Sequence, residues 1–524
     1  MLSERTHRYI YLFGLCALAF GMMMGTVPTS VPQLILLGNW LLEADFKRKW
    51  HQLKQNVLFW VLSSAFMFHF LGLAWTSDFG HGLDDVRTKI PLMFLPLIFF
   101  SNKELSRKEF EVVLLFFLAG SLTNTLWCLL YSFVLHDNEV IRNASRFMSH
   151  IRLGLFLNVA IVVCLWFSFQ WKKTGLRILM LCMAFYFLIV LGVLGRASGL
   201  VNFIILVFLM LGYGILRLPM LYKLIALVAL ISSAVMVWIY LDNIRKEQLI
   251  VNNSPNNVQQ KVTPWGTGYY HDDVDQKENG NYVRINIQLE ELQRGWKRTF
   301  PEDSFSFEPR HNVERFDILV RYMASKGLNK DSVGLASLNR EDLENIRRNV
   351  VNYKYPSWTY LHKRTYELVN EYNEFMSQGQ VNGQSLTMRV YFWKAAWDIV
   401  KKNSIFGVGT GDVQEELNKT YASTNSPLTK EWYKRPHNQF LTITVALGFV
   451  GLLIFLVSVF YPAVFLRQNF LWIYWLFFIT AVLSFITEDT LETQAGLTFF
   501  AFFQTLFVSQ AWYAKIKTRQ TPED

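Results

Sequence analysis

Long apolar runs separated by short charged loops set the pattern of this chain. A run that crosses a roughly 30 Å hydrocarbon core needs about 20 residues. Twelve candidates stand at approximately 9–26, 29–42, 56–75, 88–101, 111–135, 151–171, 176–194, 197–216, 219–241, 438–466, 469–487 and 493–514. They predict an all-α polytopic membrane protein with about 12 transmembrane helices. Arg5 and Arg8 precede the first run as they do in a signal peptide, but no small-residue cleavage site follows, so it reads as retained. The runs at 29–42 and 88–101 are short, and the second holds Pro91 and Pro96; each reads either as a full span or as a re-entrant half-helix.

Between the ninth and tenth runs the pattern changes. Residues 251–281 are rich in Asn, Gln, Pro and Gly and read as irregular. Helical spacing then returns in three stripes: Phe316, Leu319, Val320 and Met323; Leu361, Thr365, Leu368, Tyr372 and Phe375; and Leu386, Val390, Trp393, Trp397 and Val400. Few stretches alternate as strands do. The expected organisation is therefore nine transmembrane helices over 1–241, a helical cap over 242–437, and three further helices with a tail over 438–524.

Charge fixes the expected orientation. With the N-terminus inside, cytoplasmic loops hold about 18 lysines and arginines against 6 in the short outer loops. Both termini are then cytoplasmic and 242–437 is extracytoplasmic, which means periplasmic at the inner membrane of a two-membrane cell. Only 18% of residues are charged, below the roughly 25% of soluble proteins. The net charge of +10 follows from the positive-inside rule or from binding an anionic lipid headgroup, and nucleic acid is not an expected partner. Cys16, Cys128, Cys164 and Cys182 all fall in apolar runs, so no extracytoplasmic disulfide framework and no zinc spacing is expected.

Few ionisable residues stand at mid-bilayer depth. His69 is one, and it reads as a polar group facing a neighbouring helix. Ion-coupled transporters place such groups at depth because the coupling ion binds there, so transport is the less favoured class. The candidate chemistry lies at the outer helix ends. Arg196 opens a helix within Gly195-Arg196-Ala197, where free N–H groups and a positive dipole end favour an anion. Arginine adds a planar fork for phosphate oxygens. His150 and Arg152 stand at another outer helix start, as anion ligands or interface anchors. Arg389 borders an apolar stripe one turn before Trp393. Gly407, Gly409 and Gly411 lack the Lys-Ser/Thr pair of a P-loop and read as a tight turn. Arg435-Pro436-His437-Asn438 leads into the tenth run, with Asn438 as the expected cap and His437 as a candidate general base. Glu488 and Asp489, with Glu492 one turn on, can orient His437, pair with the arginines, or cap the last helix.

These residues, in this order, resemble the O-antigen ligase/polymerase family of bacterial membrane glycosyltransferases. The likeness rests on Gly195-Arg196-Ala197, on Arg389-Val390-Tyr391-Phe392-Trp393 with Gly407 to Gly411, and on Pro436-His437-Asn438-Gln439-Phe440-Leu441 continuing to Gly448 and Gly451. The cap segment Arg321 to Leu328 looks like Bacteroidetes versions. Gly195 departs from the family, which often has Ser before the arginine. The resemblance implies a GT-C-like architecture, a polyprenyl-pyrophosphate-linked glycan as donor, lipid A-core or another glycan as acceptor, and a reaction needing neither ATP nor metal, hence no cofactor. It implies that Arg196 and Arg389 stabilise the leaving pyrophosphate and that His437 activates the acceptor hydroxyl. His150, Arg152, Arg435, Trp393, Glu488 and Asp489 would complete the substrate site. The alternatives are a polymerase of O-antigen or exopolysaccharide, a protein O-oligosaccharyltransferase and, less favoured, a transporter.

Overall fold

The computed structural model describes residues 2–131, 147–194, 197–272, 276–301, 313–378 and 381–520. Within the described residues each of the twelve apolar runs is helical, with ends shifted by a few residues. Seven helices among the described residues are long and apolar enough to cross a membrane: Val57–Trp75, Arg107–Leu130, His150–Gln170, Thr174–Val193, Gly199–Leu216, Met220–Leu249 and Gln439–Phe465. The 88–101 run is broken. A polar helix, Phe79–Lys89, ends where Pro91 starts an apolar helix of 11 residues, Pro91–Ser101. At 1.5 Å per residue that helix is only about 17 Å long, roughly half a bilayer core.

The chain divides into two compact units, one formed by Met1–Gly214 with Arg389–Asp524, the other by Ile215–Met388. The first unit is a helical bundle whose centre is packed with aromatic rings. Phe156 stacks on Phe499 at 4.0 Å, and Phe117 meets Phe503 edge-on at 4.9 Å. Where helices cross in lipid, small residues let backbones approach. Gly154 and Gly199 meet this way, and Asn158 beside them donates to both carbonyls at 2.9 and 3.0 Å. This crossing docks the start of the helix that follows Arg196, while Arg196 itself lies outside the described residues.

A second device sits in the Gln439–Phe465 helix, which breaks at Gly448 (φ +66°). A break exposes backbone groups that a helix would satisfy, and the glycine turn supplies their partners. Val408 and Gly409 donate to the carbonyls of Val445 and Ala446 at 3.0 and 2.9 Å. Phe449 and Val450 donate in return to Ser404 and Ile405 at 2.8 and 3.2 Å. A Cβ on Gly448 would stand 2.1 Å from the Ile405 carbonyl oxygen. The expected tight turn at Gly407 to Gly411 is present, and its reason is this stitch. The same turn locks the end of the Val57–Leu71 helix: Thr410 Oγ1 donates to the His69 carbonyl at 2.7 Å, and Asp412 accepts from the N–H groups of Ser77 and Asp78, both at 2.7 Å. His69 is buried, with Nδ1 2.8 Å from the Ala65 carbonyl of its own helix.

The Ile215–Met388 unit combines the 30-residue helix Met220–Leu249 and the 19-residue helix Tyr360–Gln378 with shorter helices and one two-residue antiparallel strand pair in which Lys277 faces Tyr282. Its core gathers Leu292, Trp296, Leu319, Val320, Met323 and Leu335, so the first expected stripe faces inward. Glu278, buried beside it, accepts from Arg321 at 2.6 and 2.9 Å and from Asn352 at 2.8 Å.

The third stripe is helical, within Ser385–Lys402, but its face is reversed. Leu386, Val390, Trp393 and Trp397 are 40–57% exposed, and only Val400 of the five is buried. The packed face is Met388, Phe392, Ala395, Ala396 and Ile399. Apolar periodicity marks a helix, but beside a bilayer it does not say which side points inward, because lipid is as apolar as a core.

Candidate active site

Two turns and one helix of the first unit converge on His437. Its φ is +50°, a region uncommon for residues with a Cβ. The reversal aims successive backbone N–H groups at one carboxylate, a nest around an anion: His437 N donates to Asp489 Oδ2 at 2.9 Å and Asn438 N to Oδ1 at 3.0 Å. Thr442 Oγ1 adds a bond to Oδ1 at 2.6 Å. Burial pushes the Asp489 carboxyl above its ordinary pKa, against the pull of the Thr442 hydrogen bond and of the His437 and Arg435 charges. Asn438 caps the following helix as expected, its Oδ1 accepting from Leu441 N at 3.1 Å.

The neighbouring carboxylate serves the side chains. Glu488 Oε1 accepts from Arg389 Nη2 at 2.9 Å, while Oε2 lies 3.3 Å from His437 Nδ1. One nearly buried anion thus bridges an arginine and a histidine. Burial alone would raise its pKa, but the His437 hydrogen bond and charge, with Arg389 and Arg152, hold Glu488 below the usual carboxylate value. Nδ1 facing a carboxylate favours the tautomer with its proton there, which leaves Nε2 as the basic nitrogen.

The Ser385–Lys402 helix holds this turn from a second side. Trp393 Nε1 donates to the Pro436 carbonyl at 2.9 Å. Phe392 packs 5.8 Å from the His437 ring and 6.2 Å from Tyr421, whose hydroxyl donates to the Lys434 carbonyl at 2.8 Å.

The other expected residues fall around this centre. Arg152 is 8% exposed and donates to the Asp489 carbonyl at 2.9 Å and to Thr493 Oγ1 at 3.1 Å, so it braces the carboxylate turn. His150 begins the same helix, His150–Gln170. Arg435 pairs with Glu492 at 2.5 Å. Arg196 was expected here and lies outside the described residues.

Sequence reasoning missed Lys89 and Asp85. Lys89 is 1% exposed and joins Glu492 at 3.0 Å and Asp85 at 2.7 Å. Gln439 completes the cluster, giving 2.8 Å to Glu492 Oε1 and accepting from Leu491 N at 2.7 Å. Its partners are up to 403 residues apart. The one local signal was a lysine two residues before a proline-initiated apolar helix.

This arrangement can do two things. It offers a guanidinium and an imidazole to an anion, once their shared carboxylate yields. It also keeps a histidine fixed in backbone and tautomer, as a general base requires. Residues 349–456 match the model of a family described as O-antigen ligase, a stretch that takes in Arg389, Trp393, the glycine turn, Arg435, His437 and Gly448. Glu488, Asp489 and Arg152 lie beyond it. No curated protein matches the chain.

Proposed function

We propose that this chain, part of which (349–456) matches a family described as O-antigen ligase, moves a glycan from polyprenyl pyrophosphate onto lipid A-core at the periplasmic face of the inner membrane. The observation that carries the reading is the Glu488 bridge between Arg389 and His437. A cation and a base that share one internal carboxylate are spaced to meet a phosphate and a hydroxyl.

In this reading the donor's diphosphate takes over Arg389 from Glu488, with Arg196 as the second cation. The bond from the anomeric carbon to the pyrophosphate oxygen breaks, and negative charge grows on that oxygen. Guanidinium groups in a water-poor site stabilise it. The acceptor hydroxyl forms the new bond to the anomeric carbon and loses its proton to Nε2 of His437. Glu488, relieved of Arg389, balances the imidazolium. Cleavage of the bond between the sugar and the pyrophosphate supplies the driving force.

Lipopolysaccharide from cells lacking this protein tests the reading. Ligation predicts finished polymer left on the lipid carrier. Single repeat units on core would instead assign the polymerase activity known by the same family name, and an unchanged profile would remove both.

A further inference from the structure

The reversed stripe carries an inference that does not depend on the glycan reaction. On the Ser385–Lys402 helix, Val390, Trp393 and Trp397 form one row at i, i+3 and i+7, exposed by 57%, 40% and 46%. The helix's other face is already packed, Phe392 being 1% exposed, so the row is not an unfinished core. Arg389 flanks it on one side and the exposed Lys394 and Lys401 on the other, Lys401 pairing with Asp398 at 3.1 Å. The row is also continuous with a membrane-spanning surface. Exposed Ile405 and Phe406 follow it, and the backbone stitch at Gly448 joins them to exposed Phe449, Leu453 and Val457 of Gln439–Phe465.

We propose that the Arg389–Lys402 part of this helix lies in the plane of an anionic lipid surface, with Val390, Trp393 and Trp397 seated at the boundary between headgroups and acyl chains. Tryptophan favours this depth because its ring is apolar and its N–H polar. The flanking Lys394 and Lys401 reach the headgroup phosphates, as on other interfacial helices. A bilayer, rather than a protein partner, is the occupant because the same apolar strip runs directly onto a spanning helix. The anchor sets the height of the chemistry. Trp393 is bonded to the carbonyl before His437, and Arg389 is bonded to Glu488. Both groups are thereby held at headgroup depth, where a lipid-linked diphosphate resides.

The test uses the full chain in phosphatidylcholine–phosphatidylglycerol vesicles, with the exposed Cys182 replaced by serine and the three buried cysteines kept. Nitroxide labels at Val390→Cys and Trp397→Cys are compared with labels at Leu453→Cys and Lys430→Cys by power saturation with oxygen and a water-soluble nickel chelate. Both should report a depth about 5–10 Å into the interface, between the two references. Nickel access equal to that at Lys430 overturns the proposal, as does exclusion of both reagents, which would mean a protein covers the row. The unsubstituted chain gives an independent reading. Diazirine lipids activated near the glycerol should mark the peptide 390–401 more than lipids activated at mid-chain, and the reverse should hold for the peptide around Leu453. Equal marking from both depths, or none on 390–401, also overturns it.

Discussion

At the scale of single residues, the site turns on one carboxylate with two tasks. Glu488 neutralises Arg389 and orients His437. Its carboxyl lies below the ordinary value of 4.5, because the His437 and arginine contacts outweigh burial. A depressed folded pKa contributes stability that is complete above the unfolded value and lost as pH falls through the folded one. Wild-type protein in detergent should therefore lose Tm as pH drops below about 4.5, and Glu488→Gln should lose less over the same interval. Equal acid sensitivity would detach Glu488 from this network. For the reaction, His437→Ala should lower turnover by roughly 10²–10⁴-fold with donor binding little changed. Arg389→Ala should cost about 2–4 kcal/mol of transition-state stabilisation, and lysine should rescue it poorly because it lacks the bidentate fork. Purified enzyme, lipid-linked glycan and acceptor, with donor binding measured apart, separate the two roles. Turnover should persist with a chelator present. His437, Asn438 and Arg389 were legible because each has a local signature: a proline before a helix start, a cap, an arginine at the edge of a stripe. Lys89, Asp85 and the nest around Asp489 were not, since only the folded chain brings positions 89 and 492 together.

At the scale of elements, hydropathy located the apolar helices among the described residues but not what their breaks are for. The glycines after residue 406 read as a turn; that the turn repairs a helix interrupted forty residues later is a tertiary fact. It leads to a sharp contrast. Gly448→Ala places a Cβ 2.1 Å from a carbonyl oxygen at positive φ, in backbone whose strain alone costs on the order of 1–3 kcal/mol. It should lower Tm and turnover together, since the helix start at Asn438 belongs to the same element. Gly212→Ala, with nothing within 4 Å of the new methyl, should leave both unchanged. A Gly448→Ala protein as stable as wild type would mean that the stitch is not what holds the kink. The third stripe shows the opposite failure. Its period was legible and its direction was not, because lipid and protein core select the same residues.

At the scale of the whole molecule, the sequence gives sidedness through its loop charges, and the fold gives two compact units. The distribution of lysine and arginine predicts that the segment between the ninth and tenth apolar runs lies outside the cytoplasm, the side that the proposed reaction on lipid A-core requires. The structure also says where to test it. Ser332 is half-buried: its hydroxyl donates to Glu291 at 2.7 Å and accepts from Trp265 at 3.1 Å. A cysteine there would report on that network as much as on topology. Arg294 is the better site, its side chain 78% exposed on the Leu289–Thr299 helix and paired with Glu290 one turn back. In the Cys182→Ser background, Arg294→Cys should react with an impermeant thiol reagent in intact spheroplasts, and Lys47→Cys, in an expected cytoplasmic loop, only after the membrane is opened. The reverse pattern would invert the orientation and with it the periplasmic reaction. Labelling of both in intact spheroplasts would reveal leakage, which the same spheroplasts checked with a trapped dye would expose. Reaction at Arg294 alone would fix the side on which Arg389, Glu488 and His437 meet their substrates, because no apolar run lies between Arg294 and His437 and Glu488 bonds to Arg389.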